Sequence, residues 1–200
     1  MAEYFSIEPV ENILYKDKGS KFIGYAYPVK DEAAIKEKLE YIRQEHPKAT
    51  HHCYAYRLGL DKNNYRTNDD GEPNGTAGKP MLGQIDSIGI TNTLVVVVRY
   101  FGGTKLGVSG LIDAYKETAR ETLAVATFIT YKILDYYRIR CAYEQVQRVY
   151  HIVHQVQAQI ISQELDILCA FEIAVTEEQR TMLEKKLTEE QLTFEWLYKR

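Results

Sequence analysis

The last 90 residues of this 200-residue chain contain neither glycine nor proline. All 12 glycines lie at or before Gly110, and all five prolines at or before Pro80. So sharp a shift separates two segments of different design. The first needs the backbone conformations that glycine permits, and the second is built of regular elements and ordinary turns. Cysteine is scarce as well. Cys53, Cys141 and Cys169 are odd in number and far apart, which excludes a disulfide framework and a CxxC metal knuckle and makes a reducing cytoplasm the expected compartment. The longest strongly apolar run, Thr93 to Val98, is far too short to cross a bilayer. The N-terminus carries acids (Glu3, Glu8, Glu11) where a signal peptide needs bases. Nor is there an excess of one charge: 25 Lys and Arg against 28 Asp and Glu leave a net charge of -3. That excludes a histone-like polycation and an acidic tail, but not a local basic patch. Apolar residues make up 45% of the chain, enough for a packed core.

The glycine-free half reads cleanly. Tyr137, Ile139 and Cys141 alternate with Arg138 and Arg140, the pattern of a half-buried strand. Val146, Val149, Tyr150 and Val153 recur at helical spacing, and two extended runs follow, 160–164 and 167–175. In the second, Ile167, Cys169, Phe171, Ile173 and Val175 are expected on one face. Thr176 with Gln179 forms a capping box for a helix through Leu183 and Leu187. A last strand places Phe194, Trp196 and Tyr198 on one side. The order is βαββαβ, the split pattern of ferredoxin-like domains. The boundary falls between 128 and 134, giving domains 1–130 and 131–200 of an α+β chain. In the first domain, 10–16 and 21–29 read as strands. Asp31 caps a helix with Ile35, Leu39 and Ile42 inward, stopped by Pro47. A strand over 50–58, a polar loop over 63–78, a short helix over 79–87, a strand over 93–101 and a helix over 109–126 complete it.

Three stretches carry the chemistry. From Val95 to Gly110 a buried strand enters a glycine-rich loop and then a helix. Such a junction presents backbone N–H groups at the positive end of a helix dipole. Arg99 offers a planar fork and Lys105 a mobile charge, so the loop through Gly102 and Gly103 reads as a cradle for phosphate. The competing reading is a tight turn with Ser109 as an ordinary N-cap. In the second stretch, Asn68 to Pro80, Pro73 and Pro80 stand where a P-loop needs glycine and Ser/Thr. Asp69, Asp70 and Glu72 would hold a divalent ion or orient a base, although a solvated, turn-rich loop is the simpler reading. In the third, strand parity places His51, Cys53 and Arg57 on one face and His52, Tyr54 and Tyr56 on the other. Packing or hydrogen bonding is favoured over catalysis for His51, and His151 and His154 read as surface residues. Among 16 tyrosines, Tyr25, Tyr27, Tyr54, Tyr56 and Tyr100 lie on or beside expected strands and could stack unpaired bases, but tyrosine is also simply a good strand residue, which is the stronger reading.

Thr50-His51 with Ala55-Tyr56, the run Asp69-Asp70-Gly71-Glu72-Pro73 with Gly75-Thr76-Ala77-Gly78, and the run from Val98 through Arg99, Gly102, Gly103 and Lys105 to Gly107 together resemble the IMPACT/YigZ family in its bacterial two-domain form. The resemblance implies an N-terminal β-α domain like that of a small-subunit ribosomal protein and domain IV of elongation factor G. It implies a ferredoxin-like C-terminal domain similar to domain V of that factor, and a role in translational control. Eukaryotic relatives carry an additional RWD domain that binds a regulator of the amino-acid-starvation kinase. This chain starts almost at the shared domain, so that partner is not carried over and no protein partner is named.

Two functions follow as expectations. The first is a non-enzymatic protein that binds structured RNA or the ribosome, with Arg99 and Lys105 on phosphates and Lys79, Lys21 and Arg57 as further candidates. The second is an enzyme acting on a phosphorylated small molecule or nucleic acid, with a divalent metal on Asp69, Asp70 and Glu72 and His51 as acid or base. A third, a protein-interaction module using the open sheet of the second domain, is compatible with the same pattern.

Overall fold

The apolar run at Val95 becomes β6 (Thr93–Tyr100), the central strand of a five-stranded sheet. The computed structural model describes residues 2–61 and 63–200. The sheet runs β2 (Val10–Asp17), β3 (Ser20–Pro28), β6, β4 (His51–Arg57), β5 (Tyr65–Asn68), every neighbour antiparallel. On one face α2 (Gly78–Ile88) and α3 (Gly107–Ala124) pack Met81, Ile85, Leu111 and Tyr115 on Cys53, Val95 and Val97. On the other, α1 (Glu32–Glu45) sets Ile35, Leu39 and Ile42 on a layer of tyrosines, Tyr25, Tyr27, Tyr54 and Tyr56. With both faces covered, β6 has no side left for polar residues, so its valines run without alternation. Asp31 accepts from the Ala34 amide (2.8 Å), capping α1 as expected.

Three features were not foreseen. The stretch read as a polar loop holds β5, whose place is set by the edge of β4 and not by apolar alternation. β1 (Glu3–Ile7) and β7 (Phe128–Lys132) form a two-stranded sheet, joining segments from opposite ends of the first half. The last helix of that half starts at Gly107, not at Ser109, with Leu106 at its N-cap and no side-chain cap.

The chain divides into two compact units, Phe5–Thr130 and Tyr131–Arg200, the latter with the residues through Tyr4. The second contains β8 (Leu134–Ala142), α4 (Val146–Val156), β9 (Gln159–Glu164), β10 (Leu168–Thr176), α5 (Glu177–Glu189) and β11 (Thr193–Lys199). Its strand order is β11-β8-β10-β9. Tyr137, Ile139, Phe171, Ile173, Val149, Leu183 and Leu187 form its core, and the Thr176–Gln179 capping box is present. Ile167 is exposed and does not share the face of Cys169. The single-sided reading of β11 is also corrected. A register shift between Trp196 and Tyr198 sets Phe194 opposite Ile139 but Tyr198 opposite Tyr136. The bulge therefore turns Tyr198 to the open face, where its ring stacks on Tyr136 at 4.6 Å. Among the described residues no helix is long and apolar enough to cross a membrane.

Candidate functional site

The glycine loop leaves the end of β6 and is pinned there from two sides. The Thr50 amide donates to the Arg99 carbonyl (2.8 Å), and the Phe101 amide to Thr50 Oγ1 (3.2 Å). The Gly102 amide donates to Ser20 Oγ (3.2 Å) at the start of β3. The two backbones touch at that point: a Cβ on Gly102 would lie 1.9 Å from the Gly19 carbonyl carbon. Beyond Gly102 the loop is exposed as far as Lys105, and Leu106 is buried beneath it. Among the described residues no acceptor meets the amides of Gly103, Thr104 or Lys105, and the first turn of α3 holds no acid and no side-chain cap.

Arg99 is not at the surface of this loop. It is 5% exposed, and its Nη1 donates to Glu72 Oε1 at 2.6 Å. Glu72 is 9% exposed and also accepts from the Tyr115 hydroxyl (2.9 Å). The expected solvated loop is therefore built into the core. Arg99 reaches it from β6 because residue 99, like Val95 and Val97, faces α3; Nη2 makes a longer bond to Ser20 Oγ (3.4 Å). The guanidinium carbon lies 5.4 Å from the centroid of the Phe22 ring and 5.7 Å from that of Phe101. Cys53 Sγ stands 3.0 Å from the Asp69 carbonyl and 3.3 Å from the Tyr115 hydroxyl. The Glu72 loop is thus tied to the end of β6 by a buried ion pair.

The acidic residues are individually engaged. Asp69 Oδ1 accepts from the amides of Ala77 (3.0 Å) and Gly78 (2.8 Å), and Oδ2 from Gly75 (2.8 Å). This carboxylate supplies from outside the cap that α2 lacks locally, at the helix end where negative charge is favoured. Asp70 Oδ2 accepts from the His52 amide (2.6 Å) and ties the loop to β4. His51 Nδ1 lies 2.8 Å from the Asp70 carbonyl, which can only accept, so that nitrogen carries hydrogen. Its Nε2 is 3.7 Å from Glu72 Oε1. The three carboxylates point to different partners, and among the described residues no three His, Cys, Asp or Glu side chains converge as metal ligands. The set does not fit the divalent ion that the sequence allowed.

Of the other candidates, Arg57 is buried and pairs with Asp86 on α2 (2.6 Å), an anchor and not an open fork. Lys21, Lys79 and Lys105 are exposed and, among the described residues, in no ion pair. Two basic residues escaped the sequence reading. Lys18 stands beside Gly19 in the turn that touches Gly102, and Lys16 lies directly opposite Lys21 across β2 and β3. Like charges facing each other across strands are unfavourable. The hairpin spacing of 16, 18 and 21 was the available signal.

Burial pushes the Cys53 thiol far above its ordinary range. As only the thiolate is nucleophilic, iodoacetamide at mildly alkaline pH is expected to leave Cys53 unmodified in the folded protein and to label it fully in denaturant. Peptide mass mapping reads the difference.

A sequence profile described as the Impact N-terminal domain matches residues 18–123. The chain is 36% identical over 160 residues to the IMPACT family member YigZ of Escherichia coli strain K12, spanning 79% of this chain and 78% of that protein. It is 31% identical over 193 residues to an IMPACT family member of Haemophilus influenzae, spanning 94% and 93%. A crystal structure described as that of a hypothetical protein superposes with a TM-score of 0.79 at 30% identity, covering 99% of this chain and 98% of that one.

Proposed function

This chain belongs to the IMPACT family, and on that premise we propose that it is a non-enzymatic, cytoplasmic, translation-associated protein that binds structured RNA or the ribosome. The contact surface is the glycine loop after β6 together with the hairpin of β2 and β3. One observation carries the reading: the backbone contact between Gly19 and Gly102 sets the turn that carries Lys18 against the exposed loop that leads to Lys105, with Lys21 three residues on at the same end of the sheet. Mobile cations around unpaired N–H groups are what a phosphate backbone needs. Arg99 supports the loop from beneath and does not touch the ligand. The strand order β11-β8-β10-β9, with α4 and α5 as crossovers, supports the ferredoxin-like reading of the second unit.

The test is gel shift with structured RNA and ribosome cosedimentation, each at two salt concentrations. The triple variant Lys18→Ala, Lys21→Ala, Lys105→Ala should lose binding at low salt, with the salt slope falling by about 2 to 3 if each lysine neutralises one phosphate. Its melting temperature should stay put, because these side chains are exposed. Undiminished binding would remove the loop and hairpin from the interface.

A further inference from the structure

Phe101 stands on the solvent side of Arg99, and we propose that its ring is a stacking platform for an unpaired nucleobase, so that the glycine loop takes a single-stranded segment and not a duplex. The inference rests on the cradle reading above and names its ligand more closely. Every residue of β6 from Thr93 to Arg99 is buried, whereas Phe101, two positions further, is 50% exposed. Its ring is nevertheless placed, not loose. The Phe101 amide is held by Thr50, and Gly102 is locked against the turn at Gly19. Arg99 lies 5.7 Å from the ring centroid and is itself fixed by Glu72.

Arg99 Nε is buried and has no hydrogen-bond partner. Its guanidinium, already paired with Glu72, also lies within cation–π distance of the Phe22 and Phe101 rings. The ring is rigid, and little rotamer freedom is lost when a base settles on it. The residues that follow offer the amides of Gly103 and Thr104 and the ammonium of Lys105 for a neighbouring phosphate. Bases stacked inside a duplex are out of reach of such a platform, whereas loops and single strands present theirs.

The experiment is fluorescence anisotropy with labelled oligoadenylate of about 12 nucleotides, within the usual span of one such site, and an RNA duplex of equal length. The unmodified protein should bind the single strand more tightly than the duplex; Phe101→Ala should weaken the single strand about 10-fold, in the range of a lost aromatic–base stack, and leave the salt slope and any weak, purely electrostatic duplex binding unaltered. Phe101→Trp should restore the affinity. Lys105→Ala should instead lower the single-strand salt slope by about 0.7. If Phe101→Ala binds oligoadenylate as tightly as the unmodified protein while Lys105→Ala does not, the platform is overturned and the cradle stands. If Phe101→Ala weakens duplex and single strand alike, the ligand class is overturned. If the unmodified protein binds neither oligonucleotide but still cosediments with the ribosome, the platform falls and the cradle stands; if it binds none of the three, both readings fall.

Discussion

Replacing Glu72 by alanine is expected to destabilise the first unit by about 3–5 kcal/mol, the usual cost of stranding one member of a buried ion pair. Three losses coincide. Arg99 keeps its charge with no carboxylate at 2.6 Å, the Tyr115 hydroxyl loses its acceptor, and the loop loses its tie to β6. Glu72→Gln keeps an acceptor without the charge and should cost less. The double variant Glu72→Leu, Arg99→Met should recover a large part of the loss, because it removes both charges at once. Urea denaturation read by circular dichroism measures this. The lone tryptophan, Trp196, lies in the second unit and would report the wrong transition. A loss below about 1 kcal/mol for Glu72→Ala, the level of an exposed pair, would mean that the ion pair does not hold the loop.

Gly102→Ala should be as damaging, by a different route. The new methyl carbon would fall 1.9 Å from the Gly19 carbonyl carbon and 2.2 Å from the Ser20 nitrogen. Backbone cannot swing aside as the end of a side chain can, so the hairpin and the loop must part. A cost of about 3 kcal/mol or more follows, at the upper end of overpacking, together with loss of the proposed RNA binding as the lysines move off. Gly103 is the control one residue on. A Cβ there meets nothing within 4 Å, and only its φ of +87° opposes a side chain. Gly103→Ala should cost about 1 kcal/mol. If the two substitutions prove equally mild, the close approach at Gly19 does not organise the site.

What could be read from the sequence was what neighbours decide. The Asp31 cap, the Thr176–Gln179 box and the alternation at Tyr137, Ile139 and Cys141 are local signals, and each element they mark is present. The face parity of β4 was equally legible: Cys53 packs toward α2 and α3, Tyr54 and Tyr56 toward α1. The partner of Arg99 was not, because Glu72 is brought to it only by the fold of the whole sheet. A free arginine and a solvated acidic turn were each reasonable apart; together they neutralise one another in the core. The pairing of β1 with β7 and the bulge in β11 escaped for the same reason, since each depends on a partner strand far off in sequence.

The central position of β6 also bears on how the chain is made. Strands β3 and β4 never pair with each other; each takes its inner neighbour from β6, which is translated after both. Until Tyr100 has left the exit tunnel, the nascent chain holds two hairpins with an open edge apiece and no common partner. Unpaired edges of this kind invite association between chains. A product that stalls or is cut before Thr93 therefore lacks the one strand that joins its halves, and it should depend on chaperones or precipitate where the finished chain does not.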